Sequence, residues 1–197
     1  MNEEDLDHHQ LKCIHRLVFC PRIVCGERKV LFKDVIAHLK TFYKGLMEYK
    51  PVVKGEANTF LTRKPTEELG LSNGNFWTPV QLTTSCGAVF FSIGKTVNEI
   101  VFVWIIFMGS SDEAKKFSCA ISISNQIGQK FLYSGPVQTL DDNSDDIIAS
   151  GSLLMIGVSA AKRSLNSKKQ LEVEITIRNM KEEAKDDDME SGVSDGE

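Results

Sequence analysis

A chain of 197 residues can hold one well-buried domain and a small appendage, and it leaves little room for two large domains. The net charge of −4 is unevenly placed: eight acids against two lysines between Lys181 and Glu197 make that stretch −6, so the other 180 residues come to +2. A body so near neutrality offers no clustered basic face for nucleic acid. Its longest apolar run, Ile100 to Met108, has nine residues, and a membrane-spanning helix needs about 20.

Five cysteines are present, Cys13, Cys20, Cys25, Cys86 and Cys119, an odd number with three crowded into thirteen residues. Residues Met1 to Gln10 are acidic and carry His8 and His9, unlike the basic, apolar start of a secretory leader. A soluble protein of a reducing compartment is therefore expected, cytoplasmic or nuclear, with its cysteines unpaired.

In chain order, residues 1–12 read as a flexible start. The Cys/His cluster follows: Cys13-Ile14-His15, Cys20-Pro21-Arg22-Ile23-Val24-Cys25, then His38. Zinc favours four thiolate or imidazole ligands in a tetrahedron, commonly a cysteine pair on a turn and histidines on the next helix. Cys20 and Cys25 supply the pair. Leu31, Val35, Leu39 and Phe42 recur at helical spacing and predict an amphipathic helix over Leu31–Tyr43, with His38 on it twelve intervening residues beyond Cys25. A fourth ligand three to five residues further on is missing, since Thr41, Phe42 and Tyr43 stand there. Two readings remain open. Either Cys13 or His15 completes one zinc site, or the segment has lost its metal and packs Phe32, Ile36 and Phe42 around buried thiols. Pro51 then closes the segment, which spans 13–50.

Residues 52–180 read as strands. Val80–Thr84, Cys86–Ile93, Ile100–Met108, Phe117–Ser124, Lys130–Ser134, Gly151–Val158 and Leu171–Ile177 are β-prone runs between turn signals. Ile100–Met108 is apolar at nearly every position and predicts a central strand covered on both faces. Leu171–Ile177 alternates with Glu172, Glu174 and Thr176 and predicts a strand with one wet face. The linkers Ser110–Lys116, Asp141–Asp146 and Lys162–Lys169 read as polar turns, the last preceded by a short helix from Ser159. The class is mainly β, an antiparallel β-sandwich of seven or eight strands behind a small α+β segment. Residues 181–197 are acidic, lack aromatics and are expected to be disordered. Ser191 and Ser194 there precede acids, a setting suited to acidophilic phosphorylation.

Nothing in the sequence builds a catalytic centre. No histidine accompanies a nucleophile in a strand-turn-helix context. Asp141, Asp142, Asp145 and Asp146 lack calcium-loop spacing and read as a solvated turn.

The Cys-Pro-x3-Cys opening at Cys20, the segment Leu31–Leu39 ending in His38-Leu39, and Gly55-Glu56 before Phe60-Leu61 resemble the seven-in-absentia (Sina/Siah) family. Ser85-Cys86-Gly87, Phe102–Ser124 with Gly109 and the Ala114–Phe117 turn, and Leu171–Ile177 are similar to its later landmarks. The likeness runs over roughly residues 13–178. It implies a TRAF-like sandwich at 52–180 behind a degenerate zinc finger. The family's ubiquitin-ligase activity needs a RING domain of eight Cys/His ligands, which the five cysteines and four histidines scattered here cannot build, so no intrinsic activity is expected.

What the resemblance implies is a protein-interaction module. It would bind partner peptides by strand addition, dimerise with itself or with RING-bearing relatives, and act as adaptor or competitor in ubiquitin-dependent degradation. Alternatives are the substrate-recognition subunit of a ligase whose RING lies on another chain, and a structural β-sandwich outside the ubiquitin pathway. By the Gly55-Glu56 match the receiving strand is about Ala57–Arg63, with Ala57, Thr59, Leu61 and Arg63 on one face. Val80–Thr84, with Val80 and Leu82, would form the neighbouring wall. The competing reading is an ordinary edge strand blunted by Arg63 and Lys64. Trp77 reads as a core or rim aromatic.

Overall fold

Side chains of Ala57–Pro65 and Gln170–Asn179 alternate between buried and more open, whereas those of Ile100–Phe107 are buried almost throughout, and the two patterns organise this chain into layers. A computed structural model describes residues 9, 13–21, 25, 28–43, 46–53, 57–66 and 75–180. The rest of the start 1–12, the Gly55-Glu56 landmark and the acidic tail with Ser191 and Ser194 lie outside the described residues. With 48% strand and 21% helix the fold is mainly β.

The first fifty residues give a hairpin, β1 (Leu17–Phe19) and β2 (Lys29–Leu31), then a 3-10 turn (Phe32–Asp34) and helix α1 (Val35–Phe42). The helix is shorter than expected, because Leu31 is spent in the hairpin opposite Leu17. Val35 and Leu39 are fully buried and Phe42 is exposed, so the apolar stripe is narrower than the spacing suggested.

Next come β3 (Glu48–Tyr49), β4 (Ala57–Pro65), β5 (Asn75–Phe76), β6 (Val80–Thr83), β7 (Val89–Val97), β8 (Ile100–Phe107), α2 (Ser111–Ala114), β9 (Phe117–Ser124), β10 (Lys130–Pro136) and β11 (Gln138–Thr139). Helix α3 (Ser144–Ser150), β12 (Leu154–Gly157), α4 (Val158–Arg163) and β13 (Gln170–Asn179) complete the order. A four-stranded sheet runs β10-β9-β13-β4, all antiparallel. A seven-stranded sheet runs β11-β8-β7-β6-β3, with β12 beside β8 and β5 beside β7. Its pairing is mixed, since the two-residue strands β3 and β11 lie parallel to β6 and β8. Each of the seven runs read as strands from the sequence overlaps one, a strand also stands at Ala57–Pro65, and the short additions are the pieces that lacked a periodic signature.

Two linkers carry more structure than their polarity suggested. Ser110 and Glu113 close a capping box on α2, each side chain meeting the other's backbone. Asn143 caps α3 by accepting from the amides of Asp145 and Asp146, whose charges sit in the first turn where the helix dipole favours them. Gly151, with φ 71°, ends that helix in the left-handed region, so the strand expected from Gly151 begins only at Leu154.

Two cores result. Between the sheets, Phe60, Ile121, Val173 and Ile175 meet Val80, Leu82, Phe90, Val101, Val103 and Ile105. On the far side of the seven-stranded sheet, Phe91, Ile93, Phe102, Trp104 and Ile106 pack with Val18, Cys20, Val35 and Leu39 of the hairpin and α1, and with Leu140 and Ile147. Strand β8 therefore divides its side chains between two cores, which answers its continuous apolar sequence. Trp77 belongs to the inter-sheet core.

Candidate functional site

The hairpin and α1 bring three soft donors together. Cys20 follows β1, Cys25 precedes β2, and His38 stands mid-helix. Their donor atoms all lie within 4.8 Å of one another. The Cys25 Sγ to His38 Nε2 distance is 3.6 Å, and two ligands of a tetrahedral zinc with bond lengths of 2.3 and 2.0–2.1 Å would stand about 3.6 Å apart. Two sulfurs and one imidazole nitrogen can thus form an incomplete metal site. Neither Cys13 nor His15 belongs to the group of converging donors, and His15 is exposed on a turn. Among the described residues no fourth histidine, cysteine or acid enters the group. Phe42, one turn beyond His38, stacks edge-on against the imidazole at 4.8 Å between centroids.

The site is bolted to the sheets beneath it. Cys20 is buried in the second core, and the Phe19 amide donates to the Leu140 carbonyl at 2.8 Å. Arg16, which sequence reasoning passed over, spans the join. Its Nη2 donates to the Gly109 carbonyl at 2.9 Å, its guanidinium lies 4.0 Å over the Phe32 ring, and Asp141 stands 3.8 Å from Nε. Burial nevertheless pushes the Asp141 carboxyl above its ordinary range, with Arg16 opposing that shift. A cavity of about 180 Å³ lies alongside, between Phe19 and Cys20, Lys95 and Trp104, and the loop from Leu140 to Ile147.

The second candidate is the rim of the four-stranded sheet. β4 is an end strand, and Ala57, Thr59, Leu61 and Arg63 do share its outer face. Val80 and Leu82 do not form a wall beside them. Both have no exposed surface, because β6 lies in the other sheet and turns them into the inter-sheet core. Lys64 likewise does not blunt the rim: it is buried, and its Nζ donates to the Thr78 carbonyl. The Val52 amide donates to the Thr59 carbonyl at 2.7 Å, on the side away from β13. Strand alternation turns the backbone groups of Leu61 and Arg63 the same way. On that side, away from β13, no strand among the described residues pairs with those two. The usable rim is thus the second half of β4, since Val52 and Val53 cover Thr59.

The five cysteines form no disulfide, and no helix of the described residues is long and apolar enough to cross a membrane. No family model matches the chain, and no curated protein matches it.

Proposed function

We propose that this protein is a non-catalytic interaction module: a TRAF-like sandwich of the Sina type that receives extended partner peptides as an added strand along β4. The observation that carries the reading is the outward-facing backbone of Leu61 and Arg63 at the end of an otherwise paired sheet, a geometry in which backbone bonds give affinity and alternate side chains give selectivity. Cys20, Cys25 and His38 would hold a zinc ion, which when bound cross-links the hairpin to α1. The hairpin-helix order and the Cys-Cys-His spacing support zinc over harder metals, which prefer oxygen donors.

Such a module serves as an adaptor, or as a competitor that occupies substrates or dimer positions of RING-bearing relatives. The test is a pull-down from cells with the wild-type chain and with Leu61→Pro, which deletes one outward amide. Loss of specific partners in the variant, with an unchanged unfolding midpoint, is the expected result. An unchanged partner set refutes strand addition at this rim. Zinc-dependent ubiquitin transfer by the purified chain refutes the non-catalytic half.

A further inference from the structure

The free half of β4 ends against a rigid basic turn. Thr66 Oγ1 donates to the Lys169 carbonyl, joining the strand end to the Lys162–Gln170 segment. That segment contains Lys162, Arg163, Lys168 and Lys169 and no acid. Asn166 holds it in shape, its Oδ1 accepting from the amides of Lys168 at 2.9 Å and Gln170 at 3.0 Å. Lys169 sits at φ 56°, a left-handed conformation that glycine or asparagine adopts at less steric cost.

Arg63 closes the other side. Its Nε donates to Glu172 Oε1 at 2.9 Å, and the same oxygen accepts from Asn166 Nδ2 at 3.2 Å. The guanidinium is thereby fixed through Nε, and among the described residues Nη1 and Nη2 take no partner, which leaves them for a planar anion in the paired geometry that arginine favours. Between these groups lies an open groove of about 530 Å³ bounded by Arg63, Asn166, Ser167, Lys168, Gln170 and Glu172. Among the described residues that bound it, Glu172 is the one acid, and it already accepts from Arg63 and Asn166.

We propose that the peptide received at β4 is acidic, with its carboxylates lying over Arg63 and Lys168. This rests on strand addition at that rim and names the class of partner. The test uses the full chain and two fluorescein-labelled octapeptides, (Thr-Glu)4 and (Thr-Gln)4, followed by polarisation at 50 and 300 mM salt. Tighter binding of the acidic peptide by about tenfold or more at low salt, shrinking at high salt, is expected from exposed charges within a Debye length. Arg63→Glu with Lys168→Glu should abolish or reverse the preference, and both positions are exposed enough for the fold to persist. Equal affinity for the two peptides overturns the acidic class and leaves the rim reading intact. A preference that survives the double charge reversal overturns the site. If the acidic preference disappears with the charge reversal but binding ignores Leu61→Pro, the anion site stands and strand addition falls. No binding of either peptide overturns both.

Discussion

At Gly94 a hydrogen stands where any other side chain would begin, and an added Cβ would lie 2.2 Å from the Trp77 ring. Gly94→Ala must displace a nearly fully buried indole, so it should cost about 1–3 kcal/mol, read as a lower urea midpoint with unchanged slope. Two carboxylates should give opposite pH signatures. Burial raises the Asp141 carboxyl, so the folded state holds that proton more tightly and stability falls as pH rises from its ordinary value of 3.8 upward. The Arg63 hydrogen bond lowers Glu172, so its contribution is present above its ordinary value of 4.5 and lost as pH falls. Urea unfolding between pH 3 and 7 should show Asp141→Asn and Glu172→Gln flattening the profile in opposite senses. The thiols divide just as clearly: burial pushes Cys119 up to about 12, whereas Cys86 is exposed. Cys86 should react with a maleimide at once and Cys119 only as the chain unfolds. Cys119 falls on the apolar side of the Phe117–Ser124 alternation, so its burial was legible in the sequence, whereas Trp77 and Asp141 owe their surroundings to residues distant along the chain.

The hairpin and α1 show what local sequence can and cannot specify. Two of the three converging donors follow from Cys20-x4-Cys25, and the third from a helical spacing that placed His38 on α1. Among the described residues neither Cys13 nor His15 takes the fourth position, and the side chain one turn beyond His38 is Phe42, whose ring packs edge-on against the imidazole. Arg16 was invisible to periodicity, for its partners Gly109 and Asp141 are more than ninety residues away. Loss of one donor should be felt along the helix. His38→Ala should abolish zinc uptake measured by inductively coupled plasma mass spectrometry, and should speed amide exchange over Val35–Phe42. Exchange in β9 and β13 should stay slow. Zinc content and exchange both unchanged in the variant would remove His38 from the ligand set. The same logic explains the linkers: Ser110 with Glu113 forms a capping box that could have been found by its S-x-x-E spacing. The α3 turn was misjudged because its acids resembled a solvated loop.

Across the whole molecule, the layered sheets were legible because Ile100–Phe107 is an unbroken apolar run and Leu171–Ile177 keeps a clear period of two. What covers the outer face of the seven-stranded sheet was not. The sequence divided the chain near residue 50 into a finger and a sheet domain, yet Val18, Cys20, Val35 and Leu39 share one core with Trp104 and Ile106. Removing residues 1–46 should therefore bare Phe91, Phe102 and Trp104, and the shortened chain should bind a hydrophobic dye strongly and sediment as aggregates. A shortened chain that stays monomeric and dye-silent would show that the core closes without the hairpin.

This arrangement also sets an order of events during synthesis. The segment that covers one side of β8 leaves the ribosome before β8 does, while β9 and β13, which cover the other side, emerge later. An unbroken run of β-prone apolar residues is the kind of segment that associates between nascent chains when left bare. The hairpin and α1 would then shield that run in cis while the C-terminal strands are still being made. Cells starved of zinc should accordingly lose this protein to inclusions as it is translated, before any mature copy has unfolded.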